Sequence, residues 1–156
     1  MKMFEYMGKE LFAKYGIPTP KGRMATTPEE AEKIATEIGG PCVVKSQVLS
    51  GKRGKAGGIK FPKTPAEAKA AATEVLAMTI QGLPVECVLV EEMLKIDKEL
   101  YMSITVDGSA KQAVMIASAY GGMEIEAQPE EYIIKKHIDP ELGMHPFFAR
   151  EVIRRM

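Results

Sequence analysis

Val43-Val44-Lys45-Ser46-Gln47-Val48-Leu49-Ser50-Gly51-Lys52-Arg53-Gly54-Lys55-Ala56-Gly57-Gly58-Ile59 is a β-branched run that passes into a basic, glycine-rich loop. Cys42 to Val48 fits a short strand bounded by Pro and Gly. In an extended backbone Val43, Lys45 and Gln47 share one face, and Cys42, Val44 and Ser46 share the other. Lys45 is therefore partly desolvated and calls for an anionic partner. A phosphate would serve, and so would a structural carboxylate. Between Ile38 and Ala66 there are six basic residues (Lys45, Lys52, Arg53, Lys55, Lys60 and Lys63) and no acidic one. Gly51, Gly54, Gly57 and Gly58 allow close approach of backbone to a ligand. That combination suits a phosphate clamp of N–H groups and cationic heads; a solvated lysine loop has the same composition. The segment is not a Walker A motif, since Leu49 stands at its first glycine position and Ala56 at its Ser/Thr position. No helical pattern opens directly after the glycines, which argues against a dinucleotide fingerprint.

Helices flank this segment. Phe4, Met7, Leu11, Phe12 and Tyr15 recur at helical spacing, and Gly16, Pro18 and Pro20 end the run. Thr27-Pro28-Glu29-Glu30 and Thr64-Pro65-Ala66-Glu67 each offer Thr at the N-cap, Pro at the first helical position and Glu three residues after the cap. The helix after Thr27 carries Ala31, Ile34, Ala35 and Ile38 on one face. The helix after Thr64 carries Ala68, Ala71, Ala72, Val75 and Leu76. Val85 to Leu94 reads as an apolar strand ending in Glu91-Glu92. Leu100 to Val106 alternates, with Leu100, Met102, Ile104 and Val106 on one face. Asp107-Gly108 signals a hairpin whose partner strand is Ala113 to Ala117. Pro146 to Met156 is helical in pattern. The element order is that of an α+β fold with at least one antiparallel sheet.

The 156 residues fit one compact domain. Lys plus Arg number 21, matching 21 Asp plus Glu, and the resulting zero net charge argues against a general nucleic-acid or membrane-surface binder. Val75 to Val85, an uncharged apolar-leaning stretch, is too short to span a bilayer. The N-terminus shows no apolar core of a signal peptide. Cys42 and Cys87 sit in separate apolar runs and read as buried thiols in a reducing cytosol, so a cytoplasmic location is expected. His137 and His145 lack metal-ligand spacing and read as surface or structural residues. Carboxylates at the exit of a buried strand suit hydrogen bonds to a ligand's amino or hydroxyl groups; Glu91 fits that role, and Glu92 reads as the strand emerging into solvent.

The segments Phe4-Glu5-Tyr6, Lys14-Tyr15-Gly16-Ile17-Pro18, Val43-Val44-Lys45, Arg53-Gly54-Lys55-Ala56-Gly57-Gly58, Val90-Glu91, Lys98-Glu99-Leu100-Tyr101 and Gly121-Gly122-Met123-Glu124-Ile125-Glu126 together resemble the N-terminal ATP-grasp region of the succinyl-CoA synthetase (ADP-forming succinate–CoA ligase) β subunits. The resemblance spans almost the whole chain. It implies the N-terminal portion of an ATP-grasp fold, with residues 21–98 as the nucleotide-binding lobe and residues 1–20 and 99–156 as part of a second lobe. It also implies that Lys45 reaches the ATP phosphates and that Lys52-Arg53-Gly54 forms the phosphate-covering loop, with Lys52 where the family usually has glycine. Glu91 would lie at the adenine-side hinge, the Leu94 backbone would contact the base, and Glu99 would bind the ribose. No catalytic residue is expected within the chain, and the ligands of Mg²⁺ would lie beyond its end. The family passes phosphate from ATP to a histidine of a partner α subunit, then to a dicarboxylic acid, from which CoA displaces it. Malate–CoA ligase and ATP-citrate lyase chains share the architecture, and a short non-catalytic nucleotide-binding module would carry the same residues.

Overall fold

The computed structural model describes residues 2–50, 53–122 and 125–156. They form two compact units, Met1–Lys95 and Ile96–Met156. The first contains α1 (Glu5–Lys14), β1 (Gly22–Ala25), α2 (Pro28–Ile38), β2 (Cys42–Ser46), β3 (Ile59–Lys60), α3 (Pro65–Leu76), β4 (Thr79–Ile80), β5 (Leu83–Pro84) and β6 (Val88–Glu92). The second contains β7 (Tyr101–Asp107), β8 (Gln112–Ser118), β9 (Ile134–Ile138) and α4 (Pro146–Arg155).

In the first unit an antiparallel sheet runs in the order β1-β6-β2-β3. Its faces differ because strand side chains alternate. Cys42 and Val44 of β2, Val88 and Val90 of β6, and Ala25 of β1 join a core with Ala31, Ile34 and Ala35 of α2 and Ala68, Ala71, Ala72 and Val75 of α3. The small alanine faces let both helices lie close to the sheet. Both start as the Thr-Pro spacing requires: Thr27 Oγ1 accepts from the Glu30 amide and Thr64 Oγ1 from the Glu67 amide, each at 3.2 Å. Such a cap is worth about 1 kcal/mol. Cys42 and Cys87 are buried free thiols, as expected, and burial pushes both thiols up.

The opposite face of the sheet presents Lys45 and Glu91, and α1 lies against it through ion pairs to both. The apolar residues of α1 recur at helical spacing, which in a surface helix usually marks a face turned to a core. Instead α1 buries no residue, and Leu11, Phe12 and Tyr15 are 44%, 50% and 74% exposed. Its ion pairs to the sheet come from Glu5 and Lys9. Residues 1–20 fall in the first unit.

The glycine-rich loop closes on itself. The amides of Gly57 and Gly58 donate to the carbonyls of Gly54 and Arg53, at 3.0 and 2.9 Å, and the Ser46 amide donates to the Gly58 carbonyl at 2.8 Å. A β-carbon on Gly58 would stand 2.4 Å from Ser46 Oγ and 2.7 Å from Ile80 Cδ1. Only glycine lets the loop pass this close to β2.

The second unit is an antiparallel sheet in the order β7-β8-β9. The hairpin falls where Asp107-Gly108 signalled it, and Asp107 Oδ1 accepts from the amides of Ser109 and Ala110 at 2.9 and 3.1 Å. Asp107 Oδ2 also meets His137 Nε2 at 2.8 Å, which gives His137 the structural role read from its sequence context. Phe148 and Val152 of α4 pack on Met115, Ala117 and Ile134. Met102, Ile104 and Val106 of β7 share a face as the alternation implied, yet remain 57%, 60% and 74% exposed.

Gly58→Ala is expected to destabilise the first unit by about 1–3 kcal/mol, the usual cost of overpacking. Urea unfolding followed by circular dichroism measures this, and an unchanged midpoint would show that the loop can move off Ser46 and Ile80.

Candidate functional site

Lys45 and Glu91 come together because β2 and β6 are adjacent and antiparallel. Glu91 lies opposite Val43, two residues from Lys45 on the same face. Both side chains point to α1, and the Lys45 ammonium donates to Glu91 Oε1. Glu91 is 3% exposed. A carboxylate that deep needs cationic partners, and a second one comes from α1, where Lys9 bonds Glu91 Oε2.

One turn earlier on α1, Glu5 completes the cluster. Its carboxylate meets Lys9 at 3.1 Å, Lys45 at 3.3 Å and Arg53 Nη2 at 2.8 Å. Arg53 in turn donates through Nη1 to the Ser46 carbonyl at 2.9 Å, which ties the basic loop to the end of β2. Three cations, Lys9, Lys45 and Arg53, thus share two carboxylates, Glu5 and Glu91. Gln47, 2% exposed, pins the start of α1 by accepting from the Tyr6 amide at 3.2 Å. A cleft of about 340 Å³ opens beside Arg53 and Glu5, lined also by Lys2, Met3, Val48, Leu49 and Ser50.

The electrostatics follow from this packing. Burial alone pushes the Glu5 carboxyl up, but Lys45, Arg53 and Lys9 together outweigh it and hold Glu5 down at about 2. Burial disfavours the Lys45 ammonium, and Glu91 and Glu5 more than offset that, so Lys45 is shifted up and stays charged. The arrangement is a permanently cationic centre whose anionic partners arrive on two separate elements. It can exchange a carboxylate for a phosphate without any change of protonation.

Of the residues singled out in the sequence, Lys45, Arg53 and Glu91 belong to one cluster. Gly54 lies in the same loop, and its carbonyl is taken by the Gly57 amide. Lys52 lies outside the described residues, as do Gly51, Met123 and Glu124. Leu94 follows β6 and is 54% exposed. Glu99 belongs to the second unit, where its carbonyl accepts from the Gly121 amide at 2.8 Å. Its side chain lies over Gly122: a β-carbon there would stand 1.9 Å from Glu99 Oε2, and Gly122 has φ +73°. Of the two partners open for Lys45 in the sequence, the structure supplies the carboxylate. Glu91 is committed to lysines rather than exposed as a lone acceptor, and Glu92 behaves as the emerging strand end, accepting from the Lys21 amide at 2.8 Å. Glu5, Lys9 and Gln47 are not singled out as site residues by the sequence. The available clue was the Glu5–Lys9 spacing of four, which puts both on one side of a helix.

The chain is similar to known proteins along its whole length. A family model described as an ATP-grasp domain matches residues 2–156. The ADP-forming succinate–CoA ligase subunit beta of Chloroflexus aggregans is 48% identical over 100% of this chain and 42% of its own length. That of Pyrobaculum arsenaticum is 45% identical over 98% and 41%. The GDP-forming subunit beta of Thermus thermophilus is 47% identical over 99% and 42%. The chain therefore spans about two fifths of the length of these relatives. Among solved structures, the dinucleotide-forming acetyl-coenzyme A synthetase 1 of Ca. Korarchaeum cryptofilum has a TM-score of 0.80 at 23% identity, over 98% of this chain and 66% of that one. ATP citrate lyase from Methanothrix soehngenii has a TM-score of 0.69 at 24% identity, over 92% and 36%. These two share the fold.

Because the folded-state pKa of Glu5 lies below its ordinary 4.5, its contribution to stability is complete above about 4.5 and is lost as pH falls towards about 2. The protection of the amides of residues 5–14 from hydrogen exchange, taken relative to the intrinsic rate at each pH, is expected to fall over that range in the wild type, and Glu5→Gln should remove that fall. An identical acid response in Glu5→Gln would place the titration elsewhere.

Proposed function

This chain belongs to the ATP-grasp domain family, and on that premise we propose that it is the ATP-binding region of the β subunit of a CoA–acid ligase. The overall reaction is succinate, CoA and ATP going to succinyl-CoA, ADP and phosphate, through a phosphohistidine on a partner α subunit. The relatives named above support the acid and the partner. The observation that carries the nucleotide reading is the pairing of Lys45 with Arg53 across Glu5, with Arg53 and Glu5 lining the cleft beside the glycine-rich loop.

In this reading the role of the first unit is to hold and orient polyphosphate. Lys45 supplies a fixed positive charge from a rigid strand, and Glu91 sets the position of its ammonium. Arg53 offers a planar fork suited to two phosphate oxygens. Lys52 and Gly54 complete the loop over the phosphates. The Leu94 backbone contacts the base, next to Glu91 at the strand end, and Glu99 binds the ribose. Cations held in place before the nucleotide arrives neutralise charge at the transferring phosphoryl group. Mg²⁺ accompanies the nucleotide in the proposed reaction. Among the described residues no group of three His, Cys, Asp or Glu could hold it, so no step is assigned to it here. Also among the described residues, no helix is long and apolar enough to cross a membrane.

Lys45→Ala is expected to weaken ATP and ADP by roughly ten- to a hundredfold, the worth of a charge-assisted hydrogen bond. Adenosine should be unaffected. Lys55→Ala should cost less, and only its effect should fade in salt, since exposed charges are screened within about 10 Å at 0.1 M. Calorimetric titration of this chain and of the full-length subunit tests this. Wild-type affinity in Lys45→Ala would leave Lys45 as an ion-pair partner of Glu91 and overturn the reading.

Glu99→Ala should weaken ATP more than 2′-deoxy-ATP. Equal losses in the same titration would remove Glu99 from the ribose.

A further inference from the structure

An acidic side chain already sits where the proposed function puts a phosphate. Glu5 is 2.8 Å from Arg53 Nη2 and 3.3 Å from the Lys45 ammonium, the two cations assigned to the nucleotide. It also borders the cleft beside the loop. Glu91 differs: it is buried on β6 and is part of the sheet, so it stays with Lys45 whatever else binds. Glu5 is carried on α1, a helix with no buried residue.

We propose that Glu5 is a built-in competitor for the phosphate position, and that polyphosphate enters by displacing Glu5 and loosening α1 from the sheet. The inference rests on the reading of Lys45 and Arg53 as phosphate ligands. A carboxylate offers two oxygens and one charge, whereas a triphosphate offers several of each, so the cations gain by the exchange. Leu11 and Phe12, and Tyr15 just after the helix, are already 44–74% exposed, so the apolar surface uncovered when α1 moves is confined to its half-buried side at Tyr6 and Met7 and to the sheet beneath, where Leu89 lines a cleft with Tyr6. Among the described residues, α1 is also tied down by the Lys9–Glu91 pair and by a bond from the Tyr6 amide to Gln47. Displacement of Glu5 removes the contacts to Lys45 and Arg53 together. The consequence is a coupling: occupancy of the phosphate position is reported by the freedom of the N-terminal helix, and the affinity of the site is set partly by an acid that never touches the ligand.

The test uses the 156-residue chain, sodium triphosphate as the probe, and two readouts, calorimetric affinity and hydrogen exchange over residues 5–14. Glu5→Gln should bind triphosphate about tenfold tighter than wild type, the scale of one charge-assisted contact. Glu10→Gln, which removes the same charge from the same helix, should change affinity less than about twofold, within the range of an exposed charge. Saturating triphosphate should speed exchange across α1 in the wild type. Lys45→Ala should weaken triphosphate in both the wild-type and Glu5→Gln backgrounds. If Lys45→Ala weakens binding but Glu5→Gln does not strengthen it, the competitor is overturned and the phosphate site stands. If triphosphate binds and Lys45→Ala leaves it unchanged, the phosphate reading itself falls. No binding to any variant overturns both. Equal gains from Glu5→Gln and Glu10→Gln would reduce the effect to net charge and overturn the proposal. Should Glu5→Gln fail to fold, unchanged or slower exchange of wild-type α1 with triphosphate decides against it.

Discussion

A buried carboxylate, Glu91, in contact with the Lys45 ammonium organises the first unit. Glu91 is almost without access to water, and a charge in that position is tolerated only with cations beside it. The antiparallel register of β2 and β6 provides Lys45, and α1 provides Lys9. Once these three are in place, the face of the sheet towards α1 carries a charged cluster beside the buried Val43 and Leu89, while its other face is a packed hydrocarbon layer against α2 and α3. The two faces divide the work. One supplies stability and the other supplies a preorganised electrostatic surface.

That division explains why α1 breaks the usual rule for a surface helix. An amphipathic helix normally turns its apolar stripe inward. Here the sheet face available to α1 carries Lys45 and Glu91, so the helix turns Glu5 and Lys9 towards it. Part-exposed ion pairs of this kind contribute less per contact than burial of a leucine side chain. They can also be exchanged for other charges. Surface pairs elsewhere, such as Arg23 with Glu37, are more exposed and join elements already held by the core.

The glycine-rich loop owes its form to the same strand. Gly58 passes against Ser46 at a distance no side chain permits, and the loop's own amides at Gly57 and Gly58 are used in closing it. Arg53 is anchored on the Ser46 carbonyl and meets the same Glu5 carboxylate as Lys45. In the second unit the Gly121-Gly122 pair does a comparable job for Glu99, leaving room for its carboxylate over a backbone that lacks side chains.

Much of this was legible in the residues alone because it depends on local periodicity. The Thr-Pro-x-Glu starts of α2 and α3, the alternation that sets Lys45 on one face of β2, and the Asp107-Gly108 hairpin are short-range features, and each appears where the pattern put it. The quoted segments likewise placed the chain with the ATP-grasp proteins. The sequence could determine that Lys45 needs an anion, since a lysine in an apolar strand has no other stable outcome. It could not determine which one. Glu5 lies 40 residues from Lys45 and Glu91 lies 46 residues away, and no periodicity links them. Their meeting depends on strand register and on which face α1 turns to the sheet. That choice is made by the charges of the folded surface rather than by the helix's own apolar pattern, so only the tertiary structure could decide it.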